Sequence, residues 1–157
     1  MIKKQIVVGI SDLNIASSPD ELISYALGSC VGICLYDKFA KIAGLSHILL
    51  PDSKGHIETD PKKFANTAVK MLLDLMMAKG CRKGNIVAKI AGGANMFAWA
   101  GETIGDKNVK AVQDNLALLQ IPIVAKDVGS NYGRTVLIET ESGIMTVRSL
   151  SKETKSF

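Results

Sequence analysis

Short apolar runs separated by turn residues fill the first fifty positions of the chain. Four of these runs have the length and the content of β-branched residues that are typical of strands. They are QIVVGI, LISYAL, VGICLYD and IAGLSHILL, which begin at residues 5, 22, 31 and 42. Turn-forming positions separate them at Pro19-Asp20, at Gly28-Ser29 and over residues 38–41. The pattern therefore predicts that the domain begins with a β-rich part.

The spacing of the apolar residues changes to three and four after residue 60, which is typical of an amphipathic helix. We predict a helix over residues 61–79, with Asp60 as its N-cap, Pro61 in the first helical position and Gly80 at its C-terminal cap. The methionines of its apolar face fit core packing, and a soft binding surface is the alternative. The same periodicity predicts a second helix over residues 106–120.

Further strands complete the predicted domain. The segment NIVAKIAGGANMF predicts a buried strand that runs into a Gly-Gly turn. IVAKDVG, TVLIET and IMTVRSL follow the second helix, and Glu141-Ser142-Gly143 joins the last two as a hairpin. Residues 151–157 are predicted to fray. The fold class is mixed α/β (α+β), a layered sandwich in which two amphipathic helices cover β-sheet, in a single domain over residues 1–157.

Composition and charge narrow the class of protein. The 157 residues are 47% hydrophobic and 22% charged, which is typical of one globular domain, and the net charge is +4. Lysine and arginine are scattered, so we predict no nucleic-acid partner. The apolar run after Lys3-Lys4 is too short for a signal peptide or a membrane span. With an odd count of three cysteines, this predicts a cytoplasmic protein that does not insert into a membrane.

Cys30 and His47 are the residues of the chain with the clearest potential for chemistry. If VGICLYD and IAGLSHILL pair as an antiparallel hairpin with an even-length loop, the numbers of paired residues sum to 77 or 79. His47 then lies opposite Cys30 or Gly32, and either register places the imidazole on the face of the thiol. An odd loop or a bulge would place them on opposite faces. The alternative interpretation is that both side chains only fill the core.

The residues around Cys30 fit nucleophilic catalysis. A free thiol is only a few per cent ionised at pH 7, so a nucleophilic cysteine needs a base, which His47 would supply. Gly28 permits a tight turn in which N–H groups near Ser29 and Cys30 point at a developing oxyanion. Ser24, on the preceding strand, is a candidate third member that would orient the imidazole. The reaction class that follows is acyl transfer through a thioester.

Two other chemistries fit the sequence less well. Cys30, Cys34, His47 and His56 total four possible zinc ligands. On a strand the two cysteines would be about 13 Å apart, too far for a shared metal or a disulfide, and we predict no metal. The glycine-rich AGGANMFAWAGETIG lacks the G-K-[ST] of a phosphate loop, and we predict no cofactor. Within it, Trp99 is either an exposed anchor for a partner helix or ordinary half-buried packing.

Five segments carry a family resemblance: ALGSCVGICLYD, GLSHILLPDS, KIAGGANMF, IGDKNVKAV and GSNYGRTV. In this order and spacing the chain resembles the CheD family, the chemoreceptor glutamine deamidases of bacterial and archaeal chemotaxis. The G-S-C trio followed by S-H and L-P-D-S is the most specific part of the match. The resemblance implies that the family's nucleophile falls on Cys30 and its histidine on His47. The third residue of the family is commonly threonine, and that position here is Ser24.

The resemblance also implies a fold, a reaction and partners. The family fold is similar to the catalytic domain of cytotoxic necrotizing factor toxins. The implied reaction is deamidation of glutamine side chains in the cytoplasmic helical hairpin of chemotaxis receptors, to leave glutamate. The family also binds CheC, a phosphatase of phosphorylated CheY. The alternative function is a receptor-binding regulator of chemotaxis signalling that does not turn over substrate.

Overall fold

The computed structural model describes residues 2–55, 60–97, 101–149 and 153–157. These residues form two five-stranded sheets and two α-helices. The helices are α1 (Ala65–Ala78) and α2 (Ile104–Leu118), and a 3-10 turn spans Lys83–Asn85. The strands are β1 (Gln5–Val7), β2 (Asp12–Ser17), β3 (Glu21–Leu27), β4 (Val31–Asp37), β5 (Ile42–Ile48), β6 (Ile86–Gly92), β7 (Ile123–Val128), β8 (Arg134–Glu139), β9 (Met145–Arg148) and β10 (Lys155–Ser156).

The molecule has three layers. One sheet has the strand order β1-β3-β8-β9-β10, and the other has the order β2-β5-β4-β6-β7. An apolar cluster that includes Leu22 from β3, Leu45 from β5 and Val136 from β8 fills the space between the sheets. A second cluster, which includes Leu35 and Leu72, packs α1 and α2 on the outer face of the second sheet. The predicted sandwich with two covering helices is confirmed.

Strands β4 and β5 form the centre of the second sheet and are buried at every position. Burial on both faces explains why their sequences are almost continuously apolar instead of alternating. They pair antiparallel with Val31 opposite Ile48 and Asp37 opposite Ile42, so the paired numbers sum to 79. The side chain of Asp37 accepts hydrogen bonds from the amides of Phe39 and Ala40 and closes the loop. The even-length hairpin predicted from the sequence is confirmed, in the second of its two registers.

The start of α1 was predicted wrongly. The helix begins at Ala65, and its N-cap is the extended Phe64 instead of Asp60. Phe64 forms a parallel bridge with Leu50, so tertiary pairing holds the preceding residues out of the helix. Asp60 instead accepts a hydrogen bond from the amide of Lys62 in the turn before the helix. The predicted end is correct, because Lys79 is the C-cap and Gly80 follows with a positive φ of 105°.

Other differences occur in the remaining elements. Helix α2 begins two residues before the predicted start, because Thr103 and Asp106 form a reciprocal capping box. Strand β2 was missed, because its sequence DLNIAS has polar residues that are depleted in strands. The predicted frayed tail is wrong for the described residues 153–157: β10 pairs with β9, and the backbone of Phe157 bonds to Met145 in both directions.

Candidate active site

Cys30 and His47 face the same layer of the molecule. His47 lies directly opposite Gly32 in the β4–β5 ladder, and Cys30 precedes Gly32 by two residues. Cys30 belongs to the cluster between the two sheets, as does Leu45, which shares the face of His47 on β5. Diagonal neighbours of this kind have Cβ atoms about 7 Å apart. The space above Gly32 is partly filled, because an added Cβ there would lie 3.2 Å from Leu27 Cδ1.

The backbone around Cys30 is fixed through its carbonyl groups. The carbonyl of Gly28 accepts from the Ala94 amide at 2.9 Å, and the carbonyl of Cys30 accepts from the Gly93 amide at 2.8 Å. The carbonyl of Ser29, between them, accepts from the side-chain amide of Asn108 at 2.9 Å. The N–H groups of Ser29 and Cys30 donate to no other residue in the part of the chain that the structure describes.

Cys30 is a largely buried, neutral thiol, with 7% of its surface exposed. Burial raises the pKa of the thiol above its usual value, and the residue's own backbone N–H partly offsets the increase. The resting protein therefore holds a thiol and not a thiolate near neutral pH.

His47 is buried to 1% exposure and is neutral for the same reason. Burial lowers the pKa of its imidazole below the usual value, and the nearby carbonyl of Val8 partly offsets the decrease. The Val8 carbonyl is a long or poorly aligned hydrogen-bond partner of the ring, because neither ring nitrogen makes a hydrogen bond of normal geometry with a described residue. A neutral imidazole carries a proton on one nitrogen and a free lone pair on the other, and the second nitrogen can accept a proton from a thiol.

Ser24 is linked to the candidate histidine only indirectly, through the backbone carbonyl of Val8. Its hydroxyl is fully buried and donates to the Val8 carbonyl at 2.7 Å, the same carbonyl that influences His47. Ser24 is therefore placed to hold this carbonyl, and the structure shows no direct hydrogen bond between the Ser24 hydroxyl and the His47 ring. No sequence pattern indicates Val8, because its contact with Ser24 uses its backbone and not its side chain.

A cavity of about 490 Å³ opens beside Ser29. The exposed apolar side chains of Met96, Phe97 and Ile104 form much of its wall, and Glu102 lies at the same cavity. The cavity therefore lies one residue from Cys30 in the chain and offers an apolar surface next to Ser29.

The alternative metal ligands are not assembled in the described residues, where no group of three or more His, Cys, Asp or Glu side chains could hold an ion. Cys34 is buried on β4 beside Lys89, and its pKa is raised by burial to about 12. His56 and Trp99, which the sequence offered as a fourth ligand and as a partner anchor, lie outside the described residues. None of the helices in the described ranges is long and apolar enough to cross a membrane.

Asn108 is a residue of the site that the sequence prediction did not identify. It occupies the buried face of α2 together with Val112 and Leu116. The available signal was its spacing, because residues 108, 112 and 116 repeat every four positions and a polar residue therefore falls in an apolar stripe. Fully buried polar side chains need hydrogen-bond partners. The partners of Asn108 are backbone groups close in the chain to Cys30 and His47, which together form the candidate dyad.

Comparison with known proteins identifies the family. The sequence model described as "CheD chemotactic sensory transduction" matches residues 49–149 of the chain. A protein of Clostridium botulinum (strain Eklund 17B / Type B) is 46% identical over 153 residues, which cover 94% of each chain. Its name is "Probable chemoreceptor glutamine deamidase CheD". The chain belongs to the CheD family.

The likeness to CheD proteins extends through the N-terminal strands. A relative from Clostridium botulinum (strain Hall / ATCC 3502 / NCTC 13319 / Type A), with the same name, is 45% identical over 157 residues and covers 97% of each chain. These full-length matches span the region of Cys30 and His47, which lies before the range matched by the CheD family model.

One solved structure, the Bacillus licheniformis hypothetical protein YfiH, has a TM-score of 0.49 and 15% identity over 76% of this chain and 50% of that chain. The predicted likeness to cytotoxic necrotizing factor toxins stays a prediction.

Proposed function

We propose that this CheD protein is a protein-glutamine deamidase that converts glutamine side chains of chemotaxis receptors to glutamate. The observation that carries the proposal is the ladder geometry, which places His47 opposite Gly32 and on the same face as Cys30. The names of the full-length relatives, which call them probable chemoreceptor glutamine deamidases, support the choice of substrate.

In the proposed first step, the Cys30 sulfur attacks the side-chain amide carbon of glutamine as His47 takes the thiol proton. The carbonyl oxygen becomes an oxyanion, and the N–H groups of Ser29 and Cys30, which donate to no other described residue, would stabilise it. His47 then gives its proton to the departing nitrogen, and ammonia leaves. The product of this half-reaction is a thioester between Cys30 and the former glutamine side chain.

The second half-reaction hydrolyses the thioester. Water attacks the thioester carbon while His47 accepts a proton from it, and a second oxyanion forms at the same position. The carbon–sulfur bond then breaks, and His47 returns the proton to the Cys30 sulfur. The receptor keeps a carboxylate where it had a neutral amide, and the enzyme returns to its starting state.

The cavity beside Ser29 provides a place for the substrate chain. A glutamine that reaches Cys30 must extend from a backbone that lies over the neighbouring surface, where Met96, Phe97 and Ile104 are exposed. Apolar side chains that flank the glutamine on an amphipathic receptor helix would bury their surface there. The proposal places the protein in the cytoplasm, where the receptor's helical hairpin lies, with CheC as a second partner.

The test is mass spectrometry of a receptor cytoplasmic fragment after incubation with the full chain. Glutamine-to-glutamate conversion with release of ammonia is expected for the wild type and for Cys81→Ala, since Cys81 lies beyond α1 in the outer apolar cluster. Cys30→Ala should abolish conversion. Equal conversion by Cys30→Ala and the wild type would show that Cys30 is not the nucleophile.

The alternative function is regulation by receptor binding without turnover. The burial of Cys30 and His47 favours it, because burial raises the pKa of the thiol and lowers the pKa of the imidazole, which disfavours a pre-formed thiolate. If the wild type binds several receptor fragments and converts no glutamine in any of them, the regulatory function replaces the catalytic one.

A further inference from the structure

Asn108 connects the two chain segments that carry Cys30 and His47. Its side-chain nitrogen donates to the carbonyl of Ser29 at 2.9 Å and to the carbonyl of Leu49 at 3.0 Å. Ser29 directly precedes Cys30, and Leu49 follows His47 by two residues. A single side-chain amide therefore touches the backbone on both sides of the candidate dyad.

These two hydrogen bonds of Asn108, which form a bridge between the segments, lie just beyond the end of the β4–β5 ladder. The last pair of the β4–β5 ladder is Val31 with Ile48. Beyond it the amide of Leu49 turns away and donates to the carbonyl of Lys63. Asn108 thus joins the two segments where they diverge beyond the ladder, through the backbone of the residue that precedes Cys30.

The position of Asn108 is itself fixed by the start of α2. The capping box between Thr103 and Asp106 holds the first turn. Gly105 packs so closely that an added Cβ would lie 2.5 Å from the carbonyl oxygen of Gly93 and 2.6 Å from that of Ala94. Gly93 in turn donates to the carbonyl of Cys30. The helix and the Cys30 segment therefore form one rigid unit, with the Asn108 amide at a defined place in it.

The orientation of the amide follows from its partners. Both contacts are to carbonyl oxygens, so the nitrogen and not the oxygen must face them. The oxygen of Asn108 is buried and has no hydrogen-bond partner among the described residues. Leaving the buried oxygen unsatisfied has an energetic cost. The two donor contacts of the nitrogen offset this cost, and a smaller or apolar side chain could not replace them. The residue is suited to its two donor contacts.

We propose that Asn108 is a positioning residue, which sets the location of the Cys30 thiol relative to the His47 ring by holding the Ser29 and Leu49 carbonyls. The inference rests on the proposed function, because it concerns the geometry of that reaction. Displacement of reacting groups by about 1 Å can cost a rate on the order of 100-fold. Loss of the bridge should therefore reduce kcat much more than it changes KM.

The test compares Asn108→Ala with Asn115→Ala in the full chain. Asn115 lies on the same helix, and its side-chain nitrogen donates to the carbonyl of Ala111 within that helix, away from the dyad. For deamidation of a receptor fragment, Asn108→Ala should lower kcat on the order of 100-fold with KM changed less than about threefold. Asn115→Ala should leave both constants near wild type.

A second readout does not depend on deamidation. The rate at which iodoacetamide alkylates Cys30 should change at least about threefold in Asn108→Ala, and should stay at the wild-type rate in Asn115→Ala. A change in alkylation without activity in any variant would support the positioning role and reject the proposed function. A folded Asn108→Ala protein with wild-type kcat and wild-type Cys30 alkylation would overturn the inference. If Asn108→Ala does not fold, Asn108→Leu, which keeps the approximate volume of the side chain and removes the donor without burying a charge, is measured by the same criteria.

Discussion

His47 lies directly opposite Gly32 in the antiparallel β4–β5 ladder, so its imidazole stands diagonally across from Cys30. Ser46 and His47 are the two polar side chains of a strand that is otherwise apolar. The ladder fixes the two backbones, while burial keeps both side chains neutral in the resting state. The catalytic pair of the proposed reaction is therefore a thiol and a neutral base, and its consequences can be measured.

The three thiols should differ in reactivity. Burial raises the pKa of Cys34 to about 12 and that of Cys81 to about 11, where Asp37 adds to the effect. A pKa of about 12 leaves roughly one thiol in ten thousand ionised at pH 8. Alkylation of the folded protein, followed by peptide mass spectrometry, should modify Cys30 first and leave Cys34 unmodified until unfolding. Modification of Cys34 ahead of Cys30 would contradict this order.

The plot of kcat/KM against pH should be bell-shaped and broad. Burial lowers the pKa of His47 below 6.5, so the base stays unprotonated and active to below that pH. Burial raises the pKa of Cys30 above 9.0, so the alkaline limb should lie above that value. The measurement is kcat/KM across the pH range where the protein stays folded. An alkaline limb well below pH 9 would indicate a resting thiolate–imidazolium pair instead.

The folding stability should depend on His47 at acid pH. The unfolded chain binds a proton at the usual pKa near 6.5, whereas the folded chain binds it only at a lower pH. Stability is therefore highest above pH 6.5 and falls as the pH drops from there toward the folded pKa. Relative to His47→Gln, the wild type should lose about 1.4 kcal/mol for each pH unit between the two pKa values. Urea unfolding at pH 7.5 and 5.0 measures this, and parallel losses in both proteins would contradict it.

Ser24 should matter through its hydroxyl group. Ser24→Ala removes the donor that the Val8 carbonyl accepts at 2.7 Å in a fully buried place, which should cost about 1–3 kcal/mol of unfolding free energy. The freed carbonyl should interact more strongly with His47, so the acid limb of kcat/KM should move to higher pH. Ser24→Thr keeps the hydroxyl and should retain the wild-type limb. If the acid limb of kcat/KM is unchanged in Ser24→Ala, Ser24 does not influence the pKa of His47.

The cavity beside Ser29 should contribute to substrate binding. Ile104 lines it at the start of α2, while Leu118 is 80% exposed at the opposite end of the same helix. Ile104→Ser should raise KM for a receptor fragment about five- to tenfold with kcat nearly unchanged, because it removes apolar contact worth about 1 kcal/mol. Leu118→Ser is the matched control and should leave KM unchanged. Equal effects of the two substitutions would show that the cavity does not bind the substrate.

The local features of the fold could be predicted from the sequence because they depend on near neighbours. Apolar runs of seven residues identify β4 and β5 as buried strands, and residues 38–41 as the loop between them. Given an even loop, His47 falls on the face of Cys30, since the side chains of a strand alternate with a period of two, and the structure decided between an even and an odd loop. The periodicity of the two helices follows from their own residues in the same way.

The long-range partners could be decided only by the tertiary structure. The pairing of β10 with β9 orders a polar tail that looks free in the sequence, because backbone hydrogen bonds do not require apolar side chains. The Val8 carbonyl and the Asn108 amide reach the dyad from distant positions through backbone contacts, which leave no local pattern. The register of the β4–β5 hairpin, in which the paired residue numbers sum to 79 and not to 77, was also decided by the tertiary structure, because all strands of the sheet must pair in one consistent register. The sequence determined which residue types are available for chemistry, because this depends on composition alone, and the tertiary structure decided on which face they lie and what holds them in place.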